Sequence, residues 1–205
     1  MWAIQLIPAW RREVQLGPRA AGMTRYRHSQ GLPFIPGMEG GVLLPQVYAL
    51  DFKTNKVRFT DDLIFSPEKT GLFQLLILPE NVGEVDRLTA DLHELDKISG
   101  PLLFLSEATV IIQSSNSNFT TTTSENLTLS SIARIATASE FAADSVLCKN
   151  RPPPIGYDEH RLKREVHGKK FVLVRYDRFV FAACNTLSEL KYAVGEVSGA
   201  VCLLN

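Results

Sequence analysis

Apolar and polar positions alternate weakly at the start of this chain and strongly after it. Residues 1–41 carry few periodic signals and many breakers, including Pro18, Pro33, Pro36, Gly37, Gly40 and Gly41. They are expected to form an extended N-terminal arm that packs on a single domain made by residues 42–205. Next, GVLLPQVYAL and KVRFTDDLIF flank a polar turn. In the second run Val57, Phe59, Leu63 and Phe65 alternate with polar residues, the period of a half-buried strand, so a hairpin is predicted. GLFQLLILPE and ATVIIQSS are nearly continuous apolar runs, as suits strands covered on both faces. Between them Asn81 offers an N-cap with Glu84 three residues later. Val82, Val85, Leu88, Leu92 and Leu95 follow at helical spacing, until Gly100-Pro101 stops the pattern.

The tract Ser114–Ser124 is poor in apolar residues and is expected to be a surface loop. A second helix is predicted over Leu127–Asp144. Arg151-Pro-Pro-Pro-Ile155 cannot continue a helix and reads as an extended connector. The last part reads as a short helix in YDEHRLKREVHG, a strand KKFVLVR, a turn at Tyr176-Asp177, a strand FVFAACN and a closing helix TLSELKYAVGEV. Thr186 and Glu189 give that helix a capping box. Strands alternating with helices, then a hairpin and a helix, indicate an α/β fold. The order of elements fits a thioredoxin-like mixed sheet flanked by helices.

Composition narrows the function classes. At 205 residues the chain is long enough for one well-buried core. Its 22 basic and 22 acidic residues cancel, which leaves no electrostatic footprint for nucleic acid or an anionic membrane. No apolar run approaches the ~20 residues that span a bilayer. The start, MWAIQLIPAWRREV, lacks the basic and continuous apolar regions of a signal peptide. Cys148, Cys184 and Cys202 are widely spaced, as expected of free thiols in a reducing compartment. A soluble cytoplasmic protein is expected, and the sequons at Asn118 and Asn126 are read as chance matches.

Candidate chemistry is sparse. No C-x-x-C pair exists for thiol redox work, and Cys184 reads as a buried strand residue. There is no G-x-G-x-x-G after a strand and no phosphate-binding loop, and GMEGG at 37–41 reads as a tight turn. No two of His28, His93, His160 and His167 have the i, i+4 spacing of a zinc site. Neither a cofactor nor a metal is expected. The densest polar set is Arg25-Tyr26-Arg27-His28. Arg25 and Arg27 suit binding of a substrate oxyanion through paired N–H donors, while Tyr26 and His28 suit proton transfer. A set of ion pairs that merely anchors the arm is the competing reading. Asp62 is a further candidate base, and Phe34 is assigned to substrate binding. Trp2 and Trp10 are expected to pin the arm or to bury against a second subunit.

The register Val174-Arg175-Tyr176-Asp177-Arg178-Phe179-Val180, between a short helix and a closing one, resembles the end of the C-terminal domain of flavin-dependent aromatic hydroxylases of the phenol hydroxylase type. The resemblance runs loosely from Leu43 to Val197, through FQLLILPE and TVIIQSS, and is best at the end. It implies a thioredoxin-like fold, here with no flavin-binding segment upstream, and a domain that serves subunit contacts. Tyr176 stands where that family has proline and Arg178 where it has glycine, so a turn needing positive φ would strain Arg178. From the isolated domain we expect a cofactor-independent acid/base cyclase or isomerase of secondary metabolism, acting as a homodimer on a phenolic or polyketide-derived substrate. Intramolecular C–O ring closure is one such reaction. The alternatives are a non-catalytic dimerisation or scaffold module, and a vestige of a truncated hydroxylase.

Overall fold

A computed structural model describes residues 34–90, 92, 95, 102–115, 131–144 and 156–202, with side chains described as far as Val197. The fold is α/β. Seven strands, β1 (Tyr48–Asp51), β2 (Lys56–Phe59), β3 (Phe73–Ile77), β4 (Thr109–Ile112), β5 (Ser131–Ile135), β6 (Phe171–Arg175) and β7 (Val180–Cys184), form one mixed sheet in the order β2-β1-β5-β4-β3-β6-β7. Among the described residues the α-helices are α1 (Thr60–Ile64), α2 (Val85–Ala90), α3 (Ala138–Ala143), α4 (Arg161–Glu165) and α5 (Leu187–Cys202). β3 runs parallel to β4 and antiparallel to β6, which is antiparallel to β7. With α2 between β3 and β4, α4 before β6 and α5 after β7, this is the order and direction of a thioredoxin-like core.

The continuous apolar runs explain the layering. β3, β4, β6 and β7 are buried at every position, and successive side chains point to opposite faces. Leu75, Ile77, Val110 and Leu173 face α2 and α5, meeting Val85, Leu88, Leu190 and Val194. On the other face Leu76, Ile111, Val172 and Val174 meet Leu162 and Val166 at α4. Each buried Leu, Ile or Val contributes on the order of 1.5–3 kcal/mol, so helices as short as α2 and α4 are held by the sheet rather than by their own propensity.

Two predicted elements differ. Residues 60–64 form α1 instead of extending the second strand. Thr60, Leu63 and Ile64 are buried on one side, so the same letters satisfy a helical period once the chain leaves β2. Thr60 fixes that exit: its N–H donates to the Val47 carbonyl at 3.0 Å and its hydroxyl accepts the Val47 N–H at 3.2 Å. The predicted helix over 127–144 is instead strand β5 followed by α3. β5 lies between β1 and β4, where Ile132 and Ile135 suit a pleated surface. Thr137 and Glu140 close a capping box that starts the helix after the strand. At Asn81 the side chain makes no cap bond. A 3-10 turn over Val82–Glu84 precedes α2 instead.

The turn 176–178 carries Arg178 at φ 71°, a conformation that strains a residue with a side chain. Arg175 bonds Asp177 at 2.7 Å, and the Arg178 N–H donates to the Arg175 carbonyl at 2.9 Å. The tract 116–124, the connector 151–155 and the arm before Phe34, with Trp2 and Trp10, lie outside the described residues. Among the described residues no helix is long and apolar enough to cross a membrane.

Glu140 ties β5 to α3 through Arg134, whose Nη1 donates to Oε2 at 2.9 Å. Hydrogen bonds from Arg134 outweigh partial burial and hold the carboxyl at about 2, below its usual 4.5. A folded pKa below the unfolded one stabilises above the unfolded value and is lost as pH falls. Stability to urea should therefore drop between pH 4.5 and 2, and Glu140→Gln should flatten that part of the profile.

Candidate functional site

β7 lies at the outer edge of the sheet, and its outward backbone groups need partners. Residues 35–44 supply them. Ile35 and Gly41 donate to the carbonyls of Phe181 and Val180 at 2.8 Å each. Val180 donates to the Val42 carbonyl at 2.8 Å, and Leu44 to that of Arg178 at 2.9 Å. A Cβ on Gly40 would stand 2.6 Å from the carbonyl oxygens of both Ile35 and Phe181, so the close approach depends on glycine. Glu39 at φ 59° and Gly41 at φ 88° complete the bend.

This docking leaves a cleft of about 330 Å³ between residues 37–38 and the core. Gly37 and Met38, in a 3-10 turn over Pro36–Met38, form one wall. Lys169 and Ala183 lie below, and Ser188, Glu189 and Tyr192 rise from the start of α5. Glu189 is committed to the helix start: the Asn185 N–H reaches it at 2.7 Å and the Thr186 N–H at 3.3 Å, while its own N–H donates to Thr186 Oγ1 at 3.2 Å. The Asn185 bond, set against slight burial and helped by Thr186 and Lys169, keeps its carboxyl below the usual range. It is a fixed charge and not a free base. Cys184 is buried, and burial pushes its thiol up to about 12, as expected of an inert strand cysteine. What remains for a ligand is the Lys169 cation, the Ser188 and Tyr192 hydroxyls, the Tyr192 ring and the Met38 thioether.

Arg25, Tyr26, Arg27 and His28 lie outside the described residues. Phe34, 8 % exposed, belongs to the core with Phe73 and Phe181, and neither it nor Asp62 lines the cleft. Asp62 is exposed in the first turn of α1. Its neighbour Asp61 is the enclosed carboxylate. Oδ2 lies 2.9 Å from Arg178 Nε and accepts from Gln46 Nε2 at 3.1 Å. The Arg178 contact is close but not aligned as a hydrogen bond, and Asp61 Oδ1 is buried without a partner. Burial raises the Asp61 carboxyl, with Arg178 opposing and Asp62 adding to the rise.

A second polar cluster lies at the loop before β3. Lys69 Nζ donates to the fully buried Thr109 hydroxyl at 2.5 Å. Beside it, Glu107 accepts the Thr70 and Gly71 N–H groups at 2.9 and 3.0 Å and Gln74 Nε2 at 3.2 Å. Burial pulls the Glu107 carboxyl up, but those donors outweigh it and leave it lowered. Neither this cluster nor the cleft has a sequence signal of its own. Lys169, Ser188 and Tyr192 are ordinary surface letters until the capping box and the edge docking bring them together. Among the described residues no group of three or more His, Cys, Asp or Glu side chains could hold a metal ion.

If Gly40 allows residues 35–44 to dock on β7, Gly40→Ala should cost about 1–3 kcal/mol through forced backbone shifts. Gly37→Ala, whose Cβ would meet nothing within 4 Å, should stay within about 1 kcal/mol of the parent. Urea unfolding of the two variants checks this.

No protein-family model matches this chain, and no curated protein matches it significantly.

Proposed function

We propose that this chain is a cofactor-independent enzyme that binds a phenolic or polyketide-derived molecule beside the arm and catalyses its acid/base cyclisation or isomerisation. The cleft of about 330 Å³ carries the proposal, because it falls in the size range of small-molecule sites, roughly 300–1,000 Å³. Its lining suits an aromatic ring bearing oxygen. Tyr192 offers a face, Met38 a polarizable sulfur, and Lys169 a cation for the phenolate that forms as the ring oxygen loses its proton. In C–O closure the phenol oxygen attacks an electrophilic alkene carbon, and the proton it gives up ends on the neighbouring carbon. The reaction is an isomerisation, so no oxidant enters. His28 and Tyr26, nine and eleven residues before Gly37, are proposed for those proton transfers, with Arg25 and Arg27 at the oxyanion. Positioned acid/base groups give roughly 10²–10⁴-fold.

A second reading, the dimeric scaffold, is favoured by a different observation. Leu72 and Tyr176 are 49 % and 68 % exposed and adjoin, with the Tyr176 N–H donating to the Leu72 carbonyl at 2.9 Å. Exposed apolar neighbours of this kind mark contact surfaces.

The deciding experiment incubates the purified chain with prenylated phenols able to cyclise and reads the enantiomeric excess. Enzymatic closure predicts one dominant enantiomer and a rate that falls at least tenfold in Lys169→Ala and His28→Ala. A racemic product at the spontaneous rate contradicts the enzyme. Light scattering on the same chain and on Tyr176→Asp tests the scaffold, which requires a dimer that the substitution dissociates.

A further inference from the structure

Away from the cleft, the loop leading into β3 carries an amine in an unusual setting. Gly71 and Leu72 enter β3 at Phe73, whereas Lys169 and Lys170 enter β6 at Phe171, and these starts lie at opposite ends of the β3–β6 pair. Lys69 is held in place at its backbone by a 2.9 Å bond to the Ser66 carbonyl. Among the described residues its Nζ makes one hydrogen bond, to Thr109 Oγ1, and the Thr109 hydroxyl donates to the Leu63 carbonyl at 3.4 Å. Among the described residues no carboxylate oxygen lies in ion-pair contact with Lys69. Glu107 acts on it only at longer range, with its oxygens taken by Thr70, Gly71 and Gln74. Gln74, 3 % exposed, shows that the cluster is incomplete. Its Nε2 faces two acceptors, the Gly71 carbonyl and Glu107 Oε2, which fixes the amide orientation. Its Oε1 is left buried with no donor, a state that costs about 1–3 kcal/mol unless a bound group fills it.

We propose that Lys69 is a covalent binding site for small, unhindered aldehydes or ketones, which it holds as a Schiff base within the Thr109, Glu107 and Gln74 cluster. The Lys69 nitrogen lone pair attacks the carbonyl carbon while the C–O π electrons move to oxygen. Proton transfer from nitrogen to oxygen gives a carbinolamine. A further proton converts its hydroxyl to water as the C–O bond breaks, leaving a cationic iminium. The Glu107 carboxylate favours that cation. It disfavours the anionic carbamate that carbon dioxide would give, and it does nothing for a neutral amide, so the site selects carbonyls over acyl donors. Burial supports the nucleophile, because it lowers the Lys69 amine from its ordinary 10.5 to about 8. At pH 7 roughly 10 % of such an amine is neutral, against roughly 0.03 % of an ordinary lysine.

The test treats the full chain with propanal and cyanoborohydride, then reads the alkylation rate of each lysine by peptide mass spectrometry. Lys69 should react at least tenfold faster than the exposed Lys53 and Lys56 at pH 7, and its excess should shrink as pH rises above 8. That excess should be smaller with an acetylating ester than with propanal. A Lys69 rate no greater than that of Lys53 and Lys56 between pH 6 and 9 overturns the site. An equal excess with both reagents overturns the assignment to carbonyls.

Discussion

The unpaired outer edge of β7 is the constraint on which the candidate site depends. β7 is buried along its length, and backbone donors and acceptors without partners in such a place each cost about 1–3 kcal/mol. Residues 35–44 meet that demand with the bonds at Ile35, Gly41, Val42 and Leu44. They need Gly40 at the point of closest approach and a left-handed bend at Glu39 and Gly41. The cleft is a by-product of that solution: the turn that carries the chain onto the edge stands opposite the first turns of α5.

Strain and charge collect at the other end of the β6–β7 hairpin. Arg178 adopts a positive φ and reaches Asp61 and the Leu44 carbonyl, so one side chain links the hairpin, α1 and the segment that leaves the edge. The interactions there are imperfect, with Asp61 Oδ1 unsatisfied. The Lys69 cluster is likewise short of one donor. Both lie beside α1, the element whose period the sequence disguises.

Legibility followed the number of apolar residues that speak for an element. β3, β4, β6 and β7 were plain because two-sided burial demands unbroken apolar runs. α5 was plain because Thr186 and Glu189 spell its start. α1 was not, because Leu63 and Phe65 fit an alternating pattern as well as Thr60, Leu63 and Ile64 fit a helical one, and only the Thr60–Val47 bonds decide. β5 reads as helix in the sequence, because its Ile132 and Ile135 gain their strand partners only from β1 and β4. The site was less legible still. Met38, Lys169 and Tyr192 meet through the β7 edge, and the Lys69 amine is shaped by Thr109 forty residues away, a relation that no local spacing encodes.

The most direct test of this account is amide hydrogen exchange at the β7 edge in the intact chain. The Ile35, Gly41, Leu44 and Val180 amides should exchange slowly, together with those of β3 and β6. Exchange of all four at the rate of an unstructured peptide, while β3 and β6 remain protected, would contradict the docking from which the cleft is built.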